Sequence, residues 1–323
     1  MSELVFQIAD NITGRDKRIV FPEGLDERIL TAAARLGSEG LLTPVLIGDI
    51  EKVTQKAQEL SLDLAPCEII DPKNFADFEE MVISFVTRRK GKVLEEDARK
   101  MLLDENYFGT MLVYLGKADG LVSGAVHSTA DTVRPALQII KTKQGISKTS
   151  GVFLMTKGDE KYLFADCAIN IAPSSQDLAE IALASAETAK MFTLDPRVAM
   201  LSFSTKGSAK SPETEKVADA LQIAKEKDPN LVIDGEFQFD AAIVPSVAQK
   251  KAPDATLQGD ANVFIFPGLE AGNIGYKIAQ RLGGFEAVGP ILQGLNQPVN
   301  DLSRGCDAED VYKLAIITAG QAL

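Results

Sequence analysis

The chain has 323 residues, more than one ordinary core usually serves, so two domains are expected, with a single large α/β domain as the alternative. Hydrophobic residues make up 45% and charged residues 25%, the balance of a globular protein in water, and no run approaches the roughly 18 apolar residues of a membrane span. A net charge of −12 without a long basic run argues against nucleic acid or an anionic membrane as a partner. Cys67, Cys167 and Cys306 are odd in number and widely spaced, which argues against a disulfide framework and a zinc site, and His127 is the only histidine.

The first residues, MSELVFQIADNITGRDKRIV, lack an apolar leader core and read as a short amphipathic helix entering a strand, which implies a cytoplasmic address. Strand and helix patterns then alternate: RIVFP before DERILTAAARLGSEG, TPVLIG before IEKVTQKAQEL, and VAMLSFST before a lysine-rich helix from about Pro212. LVIDGEF follows, then NVFIFP before IGYKIAQRLGG, and AVGPIL before the closing helix DAEDVYKLAIITAGQAL. This alternation is the α/β pattern of parallel strands joined by helices, and several strands are continuously apolar, as when both faces are covered. Between Lys141 and Gly151 the polar KTKQGISKTSG marks either a domain boundary or a surface loop. No GxxxxGK[ST] loop and no GxGxxG fingerprint occurs; GLEAGNIG matches the latter only loosely.

In ADGLVSGAVHSTADTVRPALQIIKT an apolar strand end precedes a helix that Ser128 or Thr129 can cap, with Arg134 in its first two turns. Backbone N–H groups at such a start, with an arginine fork, make an anion site; the competing account is an ordinary capped helix with a surface arginine. His127 reads first as a structural hydrogen-bonder. RRKGK at residues 88 to 92 suits a polyphosphate or the terminal phosphate of a nucleotide-like cofactor, or is a solvated charge run. LSFSTKGSAKSPE lies where α/β sheets collect ligands, although a plain loop also explains it. In PGLEAGNIGYKIAQRL, Lys277 and Arg281 stand at i, i+4 on one helical face and repel unless an anion lies between them.

The stretch NDLSRGCDAEDV, residues 300 to 311, admits several roles. Asp307 is a natural N-cap, and Asp310 falls where the reciprocal carboxylate of a capping box belongs. Cys306 precedes the helix start, whose dipole can activate a thiolate. Ser303 as a nucleophile needs a base, and only His127 is available for a triad.

Together, DGLVSGAVHSTADTVRPALQIIKT, YLFADCAINIAPS, AMLSFSTKGSAKS, IDGEFQFDAAIVP, NVFIFPGLEAGNIGYKIAQRL and GPILQGLNQPVNDLSRGCDAED resemble, in that order and nearly end to end, the phosphate acetyl/butyryltransferase family. The resemblance implies reversible acetyl transfer between acetyl phosphate and coenzyme A. Coenzyme A is then a co-substrate, inorganic phosphate the other product, no cofactor is permanently bound and no metal takes part in the chemistry. It also implies a two-domain, three-layer α/β/α fold similar to isocitrate and isopropylmalate dehydrogenases, with the active site in the interdomain cleft, in a homodimer. Residues 1–146 plus 299–323, including the C-terminal helix, then form the first α/β domain and 147–298 the second. By the family pattern Asp310 is the base for the coenzyme A thiol, Ser303 hydrogen-bonds the reacting carbonyl, and Arg304 binds substrate. The family's cleft arginines fall on Arg88 and Arg134, the former in a basic run where Arg89 is adjacent. Ser128, Thr129, Lys277 and Arg281 complete the substrate-binding candidates, and direct transfer leaves Cys306 unused.

Acyl transfer from a phosphate anhydride to a thiol asks for a thiolate, an oxyanion partner and cationic support for departing phosphate. An ordinary aspartate, near pKa 3.9, is mismatched with a thiol near 8.5 by about 4.6 pKa units, or roughly 6 kcal/mol. Burial must raise the base or arginines must lower the thiol. The alternatives are a covalent acetyl-Cys306 route, a butyryl chain preference, a metal-dependent hydroxyacid dehydrogenase of similar fold, and a binding module without activity.

Overall fold

A computed structural model describes residues 3–323. By contact the chain divides into two units, Met1–Lys143 with Leu295–Leu323, and Gln144–Gly294.

The first unit holds strands β1 (Arg18–Phe21), β2 (Thr43–Ile47), β3 (Glu68–Ile70) and β4 (Gly120–Ser123). The second holds β5 (Ser150–Lys157), β6 (Glu160–Ala165), β7 (Val198–Leu201), β8 (Ile233–Phe237), β9 (Val263–Ile265) and β10 (Glu286–Gln293); β11 (Val299–Asp301) belongs to the first unit again.

The first sheet runs in the order β11-β4-β1-β2-β3 and all its neighbours pair in parallel. Ile19, Val20 and Phe21 on β1 and Val45, Leu46 and Ile47 on β2 are buried, because helices cover both faces. On one face, Gly109 of the helix Glu105–Tyr114 brings that helix's backbone against Val20 and Leu121; on the other, Gly120 lies under Thr318 of the closing helix Ala308–Gln321. Several strand-to-helix turns end on a residue whose side chain accepts a free N–H of the helix start: Asp26 before Glu27–Ser38, Asp49 before Ile50–Glu59, Ser128 before Thr129–Ile139 and Asp307 before Ala308–Gln321. Chain order runs outward from β1 through β2 to β3, then reverses to β4 and β11. The turn of direction between β1 and β4 leaves a crevice at their carboxyl ends, the place where open parallel sheets take ligands.

The second sheet runs β10-β5-β6-β9-β7-β8. Its β6-β9-β7-β8 part is parallel, as the alternation of strand and helix leads one to expect, whereas β10-β5-β6 is antiparallel. The departure has a local cause. In VFLMTKGDEKYLF two apolar runs are separated by Gly158-Asp159, and Lys157 faces Glu160 across a tight hairpin in which Gly158 takes φ +59°. Phe153, Phe164, Phe237, Phe264 and Phe266 gather in this unit's core. No helix among the described residues is long and apolar enough to cross a membrane.

Candidate active site

The crevice between β1 and β4 is built from the turn Pro22–Asp26 and the loop Gly124–Ser128. Glu23, only 5% exposed, reaches from the first into the second. Its Oε2 accepts the N–H groups of Gly124 at 3.1 Å and Ala125 at 2.8 Å, and its Oε1 those of Val126 and His127, both at 2.8 Å. His127 Nδ1 adds a contact of 2.9 Å to Oε1. Four successive N–H groups turned to one point form an anion-binding nest. Burial works to raise the Glu23 carboxyl, but the His127 ring and these N–H groups outweigh it and hold the pKa below the ordinary value. The bond to Glu23 in turn raises His127, against the effect of burial.

Of the two accounts of the segment before the helix Thr129–Ile139, the capped helix is the one present. The loop's N–H groups already hold the protein's own carboxylate, and the helix start is closed by a capping box in which the Ser128 hydroxyl and N–H bond to Asp131 at 2.7 and 3.2 Å. A cavity of about 340 Å³ opens beside the loop, with Glu23, Asp49, Lys52, Lys73 and His127 in its wall.

Arg304 ties the C-terminal stretch to this loop. Its Nη1 donates to the His127 carbonyl, and its Nη2 lies 3.1 Å from Thr129 Oγ1, 3.1 Å from Asp301 Oδ2 and 2.7 Å from the Leu302 carbonyl. Thr129 therefore acts through its hydroxyl rather than as the cap. Burial raises the Asp301 pKa, against the opposing pull of Thr129 and Arg304. Arg28 supplies a second tie. It is paired with Asp26 through Nε at 3.0 Å and Nη2 at 2.8 Å, and it donates to the carbonyls of Arg304, Cys306 and Ala125 at 3.1, 3.2 and 2.8 Å.

Ser303, Arg304 and Asp310 are all exposed on one loop-to-helix turn. Ser303 Oγ accepts the Gly305 N–H at 3.3 Å. The capping box expected from Asp307 and Asp310 is present: Asp310 N–H donates to Asp307 at 2.9 Å, and Asp307 N–H to Asp310 Oδ2 at 3.1 Å. Cys306 is buried, and burial pushes its thiol up to about 11 despite Arg28 Nη1 at 3.8 Å. A helix start alone does not make this thiol a nucleophile.

The remaining cations lie on other elements. Arg88 donates to the carbonyls of Ile139 and Ile140 at 2.6 and 3.0 Å and lies over the Tyr114 ring. It thus closes the C-terminal end of the helix whose N-terminal end carries Thr129, about 16 Å away along the axis. Arg134, on an outer turn of that helix, is exposed and has no hydrogen-bond or ion-pair partner among the described residues. In the second unit Lys277 donates to Asn273 at 2.8 Å, and Arg281 is exposed one turn on. Lys206 of the STKGSAK loop is held by Asp234 and the Gly235 carbonyl. Glu23, Arg28 and Asp301 were not singled out by the sequence. Their partners lie up to 278 residues away, or, for Asp301, at a strand end where i, i+3 spacing carries no expectation.

A family model described as phosphate acetyl/butaryl transferase matches residues 3–319. The phosphate acetyltransferase of Bacillus subtilis strain 168 is 70% identical over all of both chains. Among solved structures, the EutD phosphotransacetylase from Staphylococcus aureus superposes with a TM-score of 0.95 at 63% identity, covering 99% of this chain and 98% of the other. A phosphotransacetylase from Streptococcus pyogenes does so at 0.97 and 61%, covering 100% and 99%. The chain belongs to the phosphate acetyl/butaryl transferase family, a family of acyltransferases.

Proposed function

We propose that the chain transfers the acetyl group by direct attack of the coenzyme A thiolate on acetyl phosphate, both substrates being bound at once. The activity is that of a phosphate acetyltransferase, as its relatives over the full length are named. In the forward step the C–S bond forms and the C–O bond to phosphate breaks, giving acetyl-CoA and inorganic phosphate. The thiol proton passes to Asp310, Ser303 hydrogen-bonds the carbonyl oxygen as it gains charge, and Arg304 binds the phosphoryl group. Arg134 and Arg88, with Ser128, Lys277 and Arg281, complete the substrate contacts in this reading, and Thr129 serves the site through Arg304. The observation that carries it is the grouping of Ser303, Arg304 and Asp310 on one exposed turn, which Arg28 and Arg304 tie to the loop at the sheet's switch point. A carboxylate offers about four lone-pair positions, so the cap bond from Asp307 does not by itself bar Asp310 from a thiol.

The same reading makes the enzyme a cytoplasmic homodimer with a fold like that of isocitrate dehydrogenase, two domains and no permanently bound cofactor. Thioester formation from coenzyme A with acetyl phosphate and with butyryl phosphate, in the presence of a chelator, tests it. Faster turnover of acetyl phosphate is expected; no thioester from either donor overturns the assignment.

A further inference from the structure

β11 ends at Asp301, which pairs with Ser123 in the ladder to β4 and is 1% exposed. Its two oxygens differ. Oδ2 accepts the Thr129 hydroxyl at 2.6 Å and Arg304 Nη2 at 3.1 Å. Oδ1 is buried and accepts no hydrogen bond within 3.5 Å among the described residues; the buried Thr132 hydroxyl is the nearby donor that helps hold the carboxyl down. The bare Cα of Gly124, at φ +110°, closes over it: a side chain there would run into Oδ1 and the Leu302 backbone. A buried carboxylate with one oxygen unpaired weakens a fold relative to an apolar residue of similar size, so its presence calls for a partner that it orients.

That partner is Arg304. It lies on an exposed segment without helix or strand, where a long side chain otherwise samples many rotamers. The Thr129 hydroxyl has a single proton. It gives that proton to Asp301 and accepts an Arg304 N–H at 3.1 Å, so both the carboxylate and the hydroxyl face the same edge of the guanidinium.

We propose that Asp301, together with the Thr129 hydroxyl, is the positioning residue that presets Arg304 for the phosphoryl group of the acyl phosphate. This rests on the reading of Arg304 as the arginine that binds acetyl phosphate. Asp301 touches no substrate. It acts by removing the guanidinium's freedom before the substrate arrives, which favours binding of the anion that Arg304 contacts and of no other ligand.

The test is steady-state kinetics of the full chain carrying Asp301→Asn, Thr129→Val, Arg304→Ala, and Asp301→Asn with Arg304→Ala. The expected result for Asp301→Asn is a rise of about tenfold in KM for acetyl phosphate, with KM for coenzyme A within about twofold of wild type. Thr129→Val shows the same split more weakly, and it carries the test if Asp301→Asn does not fold. In the Arg304→Ala background Asp301→Asn has no further effect, because a residue acting through Arg304 has nothing left to position. An additional loss of about tenfold in that background, or equal rises in both KM values, overturns the proposal. If Arg304→Ala is impaired while Asp301→Asn and Thr129→Val keep wild-type constants, the positioning role fails and the reading of Arg304 survives. Wild-type constants in Arg304→Ala overturn both.

Discussion

Glu23 and His127 meet at 2.9 Å, and the same carboxylate holds the four backbone N–H groups that lead up to the imidazole. Replacing Glu23 by Gln leaves an amide against a nest of donors. A loss of about 2 to 4 kcal/mol in unfolding free energy is expected, read from urea denaturation. A change below about 0.5 kcal/mol would mean that solvent satisfies those N–H groups equally well.

The pair also sets a pH dependence. Glu23, held below its ordinary value, stabilises the fold above the unfolded carboxyl pKa of about 4.3, and that contribution is lost as pH falls through the lowered folded value. His127, held above its ordinary value, stabilises below about pH 6.5, and its contribution is lost as pH rises through the raised folded value. Wild type should therefore exceed His127→Gln most in Tm between about pH 4.5 and 6.5, with the gap narrowing above neutrality. A gap that widens toward pH 9 contradicts the sign.

Much of the fold can be read in the sequence where the signal is local. The runs RIVF, TPVLI and VAML are strands, the lysine-rich helix begins at Pro212 behind Ser211, and Asp307 with Asp310 forms the capping box of the closing helix. The antiparallel pair β5 and β6 is signalled locally as well, by Gly158-Asp159 between two apolar runs, while the alternation of strands and helices elsewhere points to parallel pairing. The ties that shape the candidate site are of another kind. Glu23 and Arg28 look like ordinary residues of a strand-to-helix turn, and apart from the local Arg28–Asp26 pair the partners that tie them to the site come from segments 97 or more residues away. No periodicity links such positions; only the sheet order brings the two loops together.

Asp310 carries two assignments that separate by mutation. Asp310→Asn should lower kcat at least about a hundredfold with little change in KM, as loss of a base requires. Asp307→Asn, which weakens only the cap, should cost up to about 1 kcal/mol of stability and leave kcat within about threefold. If Asp310→Asn keeps a near-normal kcat, Asp310 is a cap and not the base.

Arg88 closes the end of the helix Thr129–Ile139 by bonding two carbonyls. Arg88→Ala is expected to lower unfolding free energy by about 1 to 2 kcal/mol, measured in urea, because those carbonyls lose a charged donor. An unchanged midpoint together with a raised KM for coenzyme A would assign the guanidinium to the ligand alone.

Cys306, with its thiol pushed up to about 11, is almost wholly protonated at neutral pH. Cys306→Ala should retain activity within about threefold, and alkylation of wild type by iodoacetamide should be slow until the pH approaches 10. Isolation of an acetyl-Cys306 intermediate, or phosphate exchange without coenzyme A that disappears in Cys306→Ala, would restore the covalent route.

β11 and the closing helix Ala308–Gln321 belong to the first unit, while Gln144–Gly294 is one unbroken stretch. During synthesis the middle of the chain can fold on the ribosome as soon as it has emerged. The N-terminal part must meanwhile keep the outer edge of β4 unpaired, and the face around Gly120 uncovered, until the last segment arrives. A truncated translation product lacks Arg304, Asp310 and the far end of the Arg28 tie, and it also exposes a sticky sheet edge. Chaperone capture of nascent chains should accordingly centre on the first 143 residues.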